Sequence, residues 1–581
     1  MFTTRFSPPA RADVFILGAL CALLFFAGLG SAPLWDEDET RFASVAREML
    51  RSGDWVVPRY NGELADKPPL LFWAMAGTFA LWGETPGAAR VPSGMFAALA
   101  VWATWHLARR LYDRTVARWS ALALATSLLF AAEARLATTD AALLAFVTLA
   151  LMVVVRAWWS DGVWCAPGEG PTRLPAGSAL LVGGLAGLGI LTKGPVGLVL
   201  PALTLWLFAW WSLPRVAGRR GWLVGFLADA WSAAAVLRPG MVLAGVLVIA
   251  APWHVLVWRE TGGDWLHLVY LQHYLGRLPW LQRLTGTAMA PPHGHGGFPF
   301  FQAVSLLGGL FPWSVLLPLA AWRGFRQAAF LHEPAARLLV LWLSVWLGAV
   351  SFSSTQLPHY SFPAYPAACV LVAALLVRGL REPAGMADGW WYAAAGGLAF
   401  GGIVMGAVAW VLAEHLAAPG LEALAWLGAI PLLTALVFAA AVKRRQRPLA
   451  AAALAAGAAT LSLAVFVWAA PAVGALNPLA TMVAKADESA SGSARLATYR
   501  FGLPGVVWNA ARPMRFCRSA DELAAFLRSG PEARAFVSEA AYAEVGAKLG
   551  FAPEIVQRDR PLLRPNDVLL IGAPRDLDPR P

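Results

Sequence analysis

Residues 140–159 read DAALLAFVTLALMVVVRAWW. An acid opens the stretch, an arginine stands near its close, and all but one threonine between them is apolar. About 20 such residues in a helix cover the ~30 Å hydrocarbon core of a bilayer. A surface helix of a soluble protein keeps a polar face, and this run has none. It therefore reads as a membrane span. Runs of the same kind lie near 14–33, 86–108, 115–133, 177–192, 194–212, 240–259, 299–322, 335–353, 360–379, 390–413, 421–442 and 449–473. The expected fold is an all-α polytopic membrane protein with about 13 transmembrane helices, a count that ~20-residue windows set. Leu70–Trp82 is apolar but short, and reads as a re-entrant or interfacial helix.

Composition agrees. Of 581 residues, 58% are hydrophobic and 14% charged, against about a quarter charged in ordinary soluble domains. That excludes a disordered chain and argues against a cytosolic enzyme. The net charge of +11 is not spread evenly. Arg5 and Arg11, Arg109, Arg110, Arg114 and Arg118, then Arg215, Arg219, Arg220 and Arg238 fall in one set of alternate loops. So do Arg323, Arg326 and Arg337, Arg378 and Arg381, and Lys443, Arg444, Arg445 and Arg447. The positive-inside rule makes these loops cytoplasmic. The other set carries Asp36, Glu37, Asp38, Glu39, Asp54, Glu63, Asp66, Asp140, Glu260 and Asp264, and is expected to be external. Ser31-Ala32-Pro33 is a poor cleavage site, so the first apolar run reads as an uncleaved helix.

The division expected is a membrane domain over 1–477 and an external domain over 478–581. The external loops 34–85 and 260–298 are the longest. After residue 478 charges return. Arg495–Phe501, Arg534–Val537 and Asp567–Ile571 read as strands. Ser519–Arg528 reads as a helix capped by Ser519 with Glu522 three residues on, and Glu539–Leu549 as another. Together they suggest a small α/β soluble domain. Cys21, Cys165, Cys369 and Cys517 form no close pair, so neither a disulfide framework nor a structural zinc site is expected.

Chemistry concentrates in the outer set. Leu34-Trp35-Asp36-Glu37-Asp38-Glu39-Thr40-Arg41-Phe42 holds four successive carboxylates. They read either as acids in a helix's first turn, where the macrodipole favours them, or as a general base beside a membrane. Lys67, between Asp66 and Pro68-Pro69, is either a snorkelling interface lysine or a cation for a lipid phosphate. Asp140, Lys193 and Tyr360 each sit at the outer mouth of a span. Ionisable groups at such positions are candidate functional residues. Pro292-His293-Gly294-His295 reads as a Gly-rich loop with two metal-capable rings. No Walker or GxGxxG pattern stands in a βαβ unit, so no nucleotide cofactor is expected.

LWDEDETRFASVAREMLRSGDWVVPRYNGELADKPPLLFW resembles the first external loop of bacterial family-39-type glycosyltransferases. These are GT-C-fold enzymes related to protein O-mannosyltransferases, and the resemblance leans to the aminoarabinose transferases that modify lipid A. RLATTDAALLAF, GILTKGPVGLVLP and QLPHYSFPAYPA match in order and spacing. The similarity runs through the membrane part and, more loosely, the C-terminal domain. Asp66 stands where the family more often has Glu, and Gln356 where a basic residue is common. The resemblance implies an inner-membrane, multi-pass enzyme with its active site on the periplasmic face. It would move a sugar, with inversion, from a polyprenyl phosphate such as undecaprenyl phosphate to a lipid, glycan or protein acceptor. It implies Asp38 and Asp140 as catalytic carboxylates, supported by Glu39 and Arg41. Lys67, Lys193, Arg277 and Tyr360 would hold the donor phosphate, and Asp66 with His273 a divalent metal (zinc, magnesium or manganese). The rival expectations are a protein O-glycosyltransferase of the same fold, a polyprenyl-linked sugar transporter or flippase, and a membrane scaffold.

Overall fold

The computed structural model describes residues 11–574, apart from 36, 161, 165–169, 214–221, 276–297, 299, 354, 383–384, 417–419, 491, 501, 546–547, 550 and 562–565. By its internal contacts the chain divides into two units. The first holds the described residues of Met1–Leu29, Asp66–Leu71 and Arg90–Trp468, and the second those of Gly30–Ala65, Phe72–Ala89 and Ala469–Pro581.

The first unit is helical and is that of a multi-pass membrane protein. Among the described residues eight helices are long and apolar enough to cross a bilayer, or up to ten if each of two bent pairs is one span. Asp140–Trp158, Ala176–Lys193, Pro239–Thr261, Pro334–Ser351 and Pro358–Arg381 are among the eight. Two expected spans are not straight. Arg114–Ala125 and Leu128–Arg135 bend by 63° at their junction, and Phe301–Gly309 and Trp313–Phe330 by 119°. At the first break Thr126 and Ser127 turn their hydroxyls back on the carbonyls of Leu122 and Ala123, and such back-bonding bends helices. Arg11–Phe26 and Val196–Ser212 are shorter than a full span. Trp222–Val236 is a further apolar helix that the run-length reading passed over. Leu70–Trp82 has 13 residues, below span length as expected.

Lipid gives helices no hydrophobic reason to associate, so close packing must do it, and small residues permit that. Ala176–Lys193 packs on Pro239–Thr261 where Gly183 and Gly245 face the partner backbone. A Cβ on Gly183 would collide with the Val242 carbonyl, and one on Gly245 with that of Leu180. Asp140–Trp158 is the most enclosed helix of the eight bar one, with 83% of its span window buried. This explains a run with no polar face: it has no outside.

Several of the basic residues make contacts that join the loops at one end of this unit. Arg381 bonds to Asp113 at 2.6 Å, and Arg447 to Asp388 at 2.7 Å and to the Gly379 carbonyl at 3.1 Å. Arg114 and Arg118 both bond Asp13. The Gly162 amide, just past the C-terminal end of Asp140–Trp158, donates to the Arg110 carbonyl at 2.9 Å. Asp140 is at the other end of that helix, about 27 Å away at 1.5 Å per residue.

The second unit carries a five-stranded sheet. Its strands are β1 (Arg495–Tyr499), β2 (Arg515–Cys517), β3 (Ala533–Ser538), β4 (Glu554–Asp559) and β5 (Val568–Gly572), in the order β2-β1-β3-β5-β4. β1 pairs in parallel with β2 and β3, while β5 runs antiparallel to β3 and β4. Helices Leu479–Ser489 and Pro504–Ala510 contribute to the apolar core on one face of the sheet. Ala520–Arg528 and Glu539–Val545 contribute to the other. Ser519 caps its helix as expected, accepting from the Glu522 amide. Glu522 in turn accepts from the Arg518 amide rather than from that of Ser519.

Candidate functional site

In the first unit the chain delivers Asp140 and Lys193 to one point from opposite helix ends. Asp140 opens Asp140–Trp158 and Lys193 closes Ala176–Lys193. Lys193 Nζ donates to Asp140 Oδ1 at 2.5 Å, with side chains 16% and 7% exposed. An isolated charge at such depth is expensive, and pairing is what makes it tolerable. The turn after Lys193 is set by Gly194, whose φ of 70° suits glycine. A Cβ there would lie 2.5 Å from the Tyr274 ring. That close approach lets the Tyr274 hydroxyl donate to the Lys193 carbonyl at 2.6 Å.

Tyr360 comes from the 3-10 turn Pro358–Ala364, which leads into Tyr365–Arg381. Its ring lies 5.3 Å from the Lys193 ammonium, in cation–π range. The indole of Trp346 fixes this turn by donating to the Tyr360 carbonyl at 3.0 Å. Lys67 donates to Asp66 Oδ2 at 2.6 Å, each side chain 16% exposed. Lys67 also acts electrostatically on Asp140, as does His359. Two lysines, each held by its own carboxylate, thus share one neighbourhood at the ends of apolar helices. The sequence groups Asp38, Lys67, Asp140, Lys193 and Tyr360 on one face; the first unit brings the last four together, and Asp38 belongs to the second.

Three residues were not singled out beforehand. Tyr274 supports the Lys193 turn. Glu133, 4% exposed, accepts from the Thr138 hydroxyl at 2.7 Å and lies 3.9 Å from His359 Nδ1. Glu133 stands at the end of an apolar run, where it reads as a span boundary. His359 directly precedes Tyr360 in the sequence. Arg277, His293 and His295 lie outside the described residues.

His273 Nδ1 is 3.9 Å from Asp66 Oδ2, so the expected metal pair does meet. Two donors fall short of the three or four protein ligands usual for zinc, and Lys67 already engages the same Asp66 oxygen. Among the described residues no group of three His, Cys, Asp or Glu converges. The described donor set does not by itself make a metal site.

The first-loop carboxylates belong to the second unit. Asp38 and Glu39 lie in the first turn of Asp38–Ser52, the placement that the macrodipole favours. Asp38 Oδ1 is bridged by Arg41 at 2.8 Å, with side chains 47% and 35% exposed. Glu39 is 2% exposed and accepts from the Trp35 amide at 2.9 Å. Glu39 thus has a structural task at the turn, while Asp38 retains solvent access. Asp36 lies outside the described residues.

A family model for dolichyl-phosphate-mannose-protein mannosyltransferase matches residues 66–237. The undecaprenyl phosphate-alpha-4-amino-4-deoxy-L-arabinose arabinosyl transferase of Pseudomonas paraeruginosa is 29% identical over 364 residues, 62% of this chain and 59% of that protein. Its counterpart in Pseudomonas aeruginosa (strain UCBPP-PA14) is 30% identical over 366 residues, 62% of this chain and 58% of that one. The chain thus matches less than two thirds of these relatives' length. The crystal structure of ArnT from Cupriavidus metallidurans bound to undecaprenyl phosphate is similar with a TM-score of 0.71 at 20% identity. That likeness covers 97% of this chain and 98% of the other. The chain therefore shares its fold, and the GT-C architecture expected from the sequence is the one found.

Proposed function

We propose that this chain is an inner-membrane glycosyltransferase that moves a sugar from a polyprenyl-phosphate donor to a lipid acceptor, with lipid A the first candidate, at the periplasmic face. The observation that carries this reading is the pair of lysines on one neighbourhood, Lys193 on Asp140 and Lys67 on Asp66. The resemblance to aminoarabinose transferases supports it.

The chemistry follows from the charges. In the donor the anomeric carbon is bonded to a phosphate oxygen. The bond breaks as the electron pair withdraws onto that oxygen, so negative charge grows on the leaving phosphate. Cations held in a low-dielectric site stabilise that charge more than water would and need no reorganisation. Lys67 and Lys193 fill this role, with Tyr360 beside them. Asp140 keeps Lys193 extended and charged before the donor arrives, which makes it a positioning residue. Asp38 takes the proton from the acceptor oxygen. One displacement without a covalent enzyme intermediate inverts the anomeric centre.

A second reading, transfer to a protein hydroxyl, is favoured by the description of the matching family model. A transporter of the lipid-linked sugar fits less well, since such carriers place their charges in broken helices at the bilayer midplane. Here Asp140 and Lys193 stand at helix ends.

The test uses the purified chain in proteoliposomes. The donor is undecaprenyl phosphate 4-amino-4-deoxy-L-arabinose, offered with lipid A or with a Ser/Thr-rich peptide, and products are read by mass spectrometry. The expected result is lipid A carrying one added sugar. It is lost in Asp38→Asn, which still folds and binds donor. Turnover in Asp38→Asn like that of the wild type would overturn the base assignment. Modified peptide with untouched lipid A would replace the first reading by the second.

A further inference from the structure

We propose that His359, held by the buried carboxylate of Glu133, is a further charge-bearing residue of the transfer. As an imidazolium it offsets the second negative charge that appears on the leaving phosphate. The inference rests on the glycosyltransferase reading above and adds a third acid–base couple to it.

Glu133 sits near the end of Leu128–Arg135, just before the chain turns into Asp140–Trp158. Its side chain is buried, and a carboxylate so enclosed is costly unless matched. One oxygen, Oε2, accepts from Thr138 Oγ1 at 2.7 Å. The other, Oε1, faces His359 Nδ1 at 3.9 Å. Arg135, two residues on, is committed elsewhere: it donates to the carbonyls of Leu24 at 2.9 Å and Ala27 at 2.7 Å. His359 is fixed in its turn by Pro358, and its ring meets Tyr360 edge-on at 5.2 Å and 77°. The couple borders the phosphate-binding lysines: His359 acts on Asp140, and Glu133 on Lys193.

The charges then sort into three couples: Asp66 with Lys67, Asp140 with Lys193, and Glu133 with His359. The first two cations are lysine ammoniums. The third depends on a ring that titrates near physiological pH. The donor phosphodiester carries one negative charge. When the anomeric carbon–oxygen bond breaks, its electron pair stays on the phosphate oxygen, and a monoester with two negative charges remains. The acceptor oxygen bonds the anomeric carbon, and its proton passes to Asp38. A proton already resident on His359 supplies the balancing charge. Titratable neighbours that bear on it are Glu133 from Leu128–Arg135, Asp140 with Lys193 behind it, and Tyr360 in its own turn. Helix Phe301–Gly309 brings the uncharged Gln302 to this turn, donating to the Leu357 carbonyl.

The test follows kcat and undecaprenyl phosphate binding from about pH 6 to 9, the window in which imidazole titrates. Wild-type kcat is expected to fall on the alkaline side as His359 loses its proton. His359→Gln is expected to lower kcat by about tenfold to a hundredfold, within the range for lost charge stabilisation, and to erase the alkaline limb. The donor KM stays nearly constant. Glu133→Gln moves the limb to lower pH, because the imidazolium loses its counter-charge. His359→Lys, which keeps a cation, restores rate and has no limb in this range. Binding of the product, undecaprenyl phosphate, gives a readout that does not need turnover. It is expected to weaken at high pH in the wild type and to be flat with pH in His359→Gln. An unchanged limb in His359→Gln, in kcat or in product binding, overturns the inference. Absence of any transfer by the wild type overturns the glycosyltransferase reading instead.

Discussion

The Lys193 ammonium and the Asp140 carboxylate meet at 2.5 Å, each from the end of a different apolar helix and each largely shielded from water. The pair is both a structural joint and a loaded site. Removing one partner leaves the other charge buried alone, which costs about 3–5 kcal/mol. Asp140→Ala is therefore expected to lower the thermal midpoint sharply in detergent. Replacing both, as Asp140→Asn with Lys193→Met, should recover most of that loss. The double variant should still fail to bind undecaprenyl phosphate. Restored stability together with restored binding would reduce the pair to a joint.

Lys67 separates the two readings of an interface lysine. It donates to its neighbour Asp66 at 2.6 Å and is 16% exposed. A snorkelling lysine would reach for water, and this one does not. Lys67→Ala is expected to raise the donor Kd by roughly tenfold to a hundredfold, the loss of one charge-assisted contact at about 1.5–3 kcal/mol. The thermal midpoint should move little, because Asp66 keeps His273 nearby. An unchanged donor affinity, read by titration with undecaprenyl phosphate 4-amino-4-deoxy-L-arabinose, would return Lys67 to a packing role.

Arg47 is a prediction about the second unit alone. Its guanidinium donates to the carbonyls of Trp508 at 2.8 Å and Val507 at 2.9 Å and stacks 4.6 Å from the Trp508 ring. Burial pulls it down to about 10, still charged at neutral pH. It ties Asp38–Ser52 to the end of Pro504–Ala510. Arg47→Lys keeps the charge but loses the planar fork and the stacking. It is expected to expose this region to limited proteolysis almost as much as Arg47→Ala. Full protection by lysine would show that charge alone holds the joint.

Much of this arrangement was readable beforehand because its signals are local. An apolar run of fixed length declares a span wherever its neighbours lie. Ser519 with Glu522 declares a helix start, and the structure has it there. The lysine cluster was legible because Lys193 interrupts apolar sequence and Lys67 and Asp140 stand just before it. Glu133 and His359 were not, since their meaning lies in each other and they stand far apart in the chain. The bends were hidden too. Hydropathy counts residues and is blind to the turned-back hydroxyls of Thr126 and Ser127. In the small domain β2 and β4 escaped notice. β2 has three residues, and β4, the edge strand Glu-Ile-Val-Gln-Arg-Asp, is exposed or half-exposed along its length, which blurs the alternation that marks a strand.

Asp567 gives the acid response of that sheet. Arg560 Nε donates to its Oδ1 at 2.8 Å and Arg558 Nε to its Oδ2 at 2.9 Å, on the approach to β5. These bonds, that from Arg560 first, hold the carboxyl below its ordinary value of 3.8. A group whose folded pKa is depressed stabilises the fold above its unfolded value, and that contribution is lost as pH falls through the folded one. Asp567→Asn is therefore expected to lower the thermal midpoint of the second unit at neutral pH, and to lower it by less at a pH below that ordinary value. The two arginines are exposed and the gain is screened by salt, so the difference between wild type and variant should shrink in about 1 M NaCl. A variant equally destabilised at both pH values would mean that the asparagine disturbs packing instead of removing a charge.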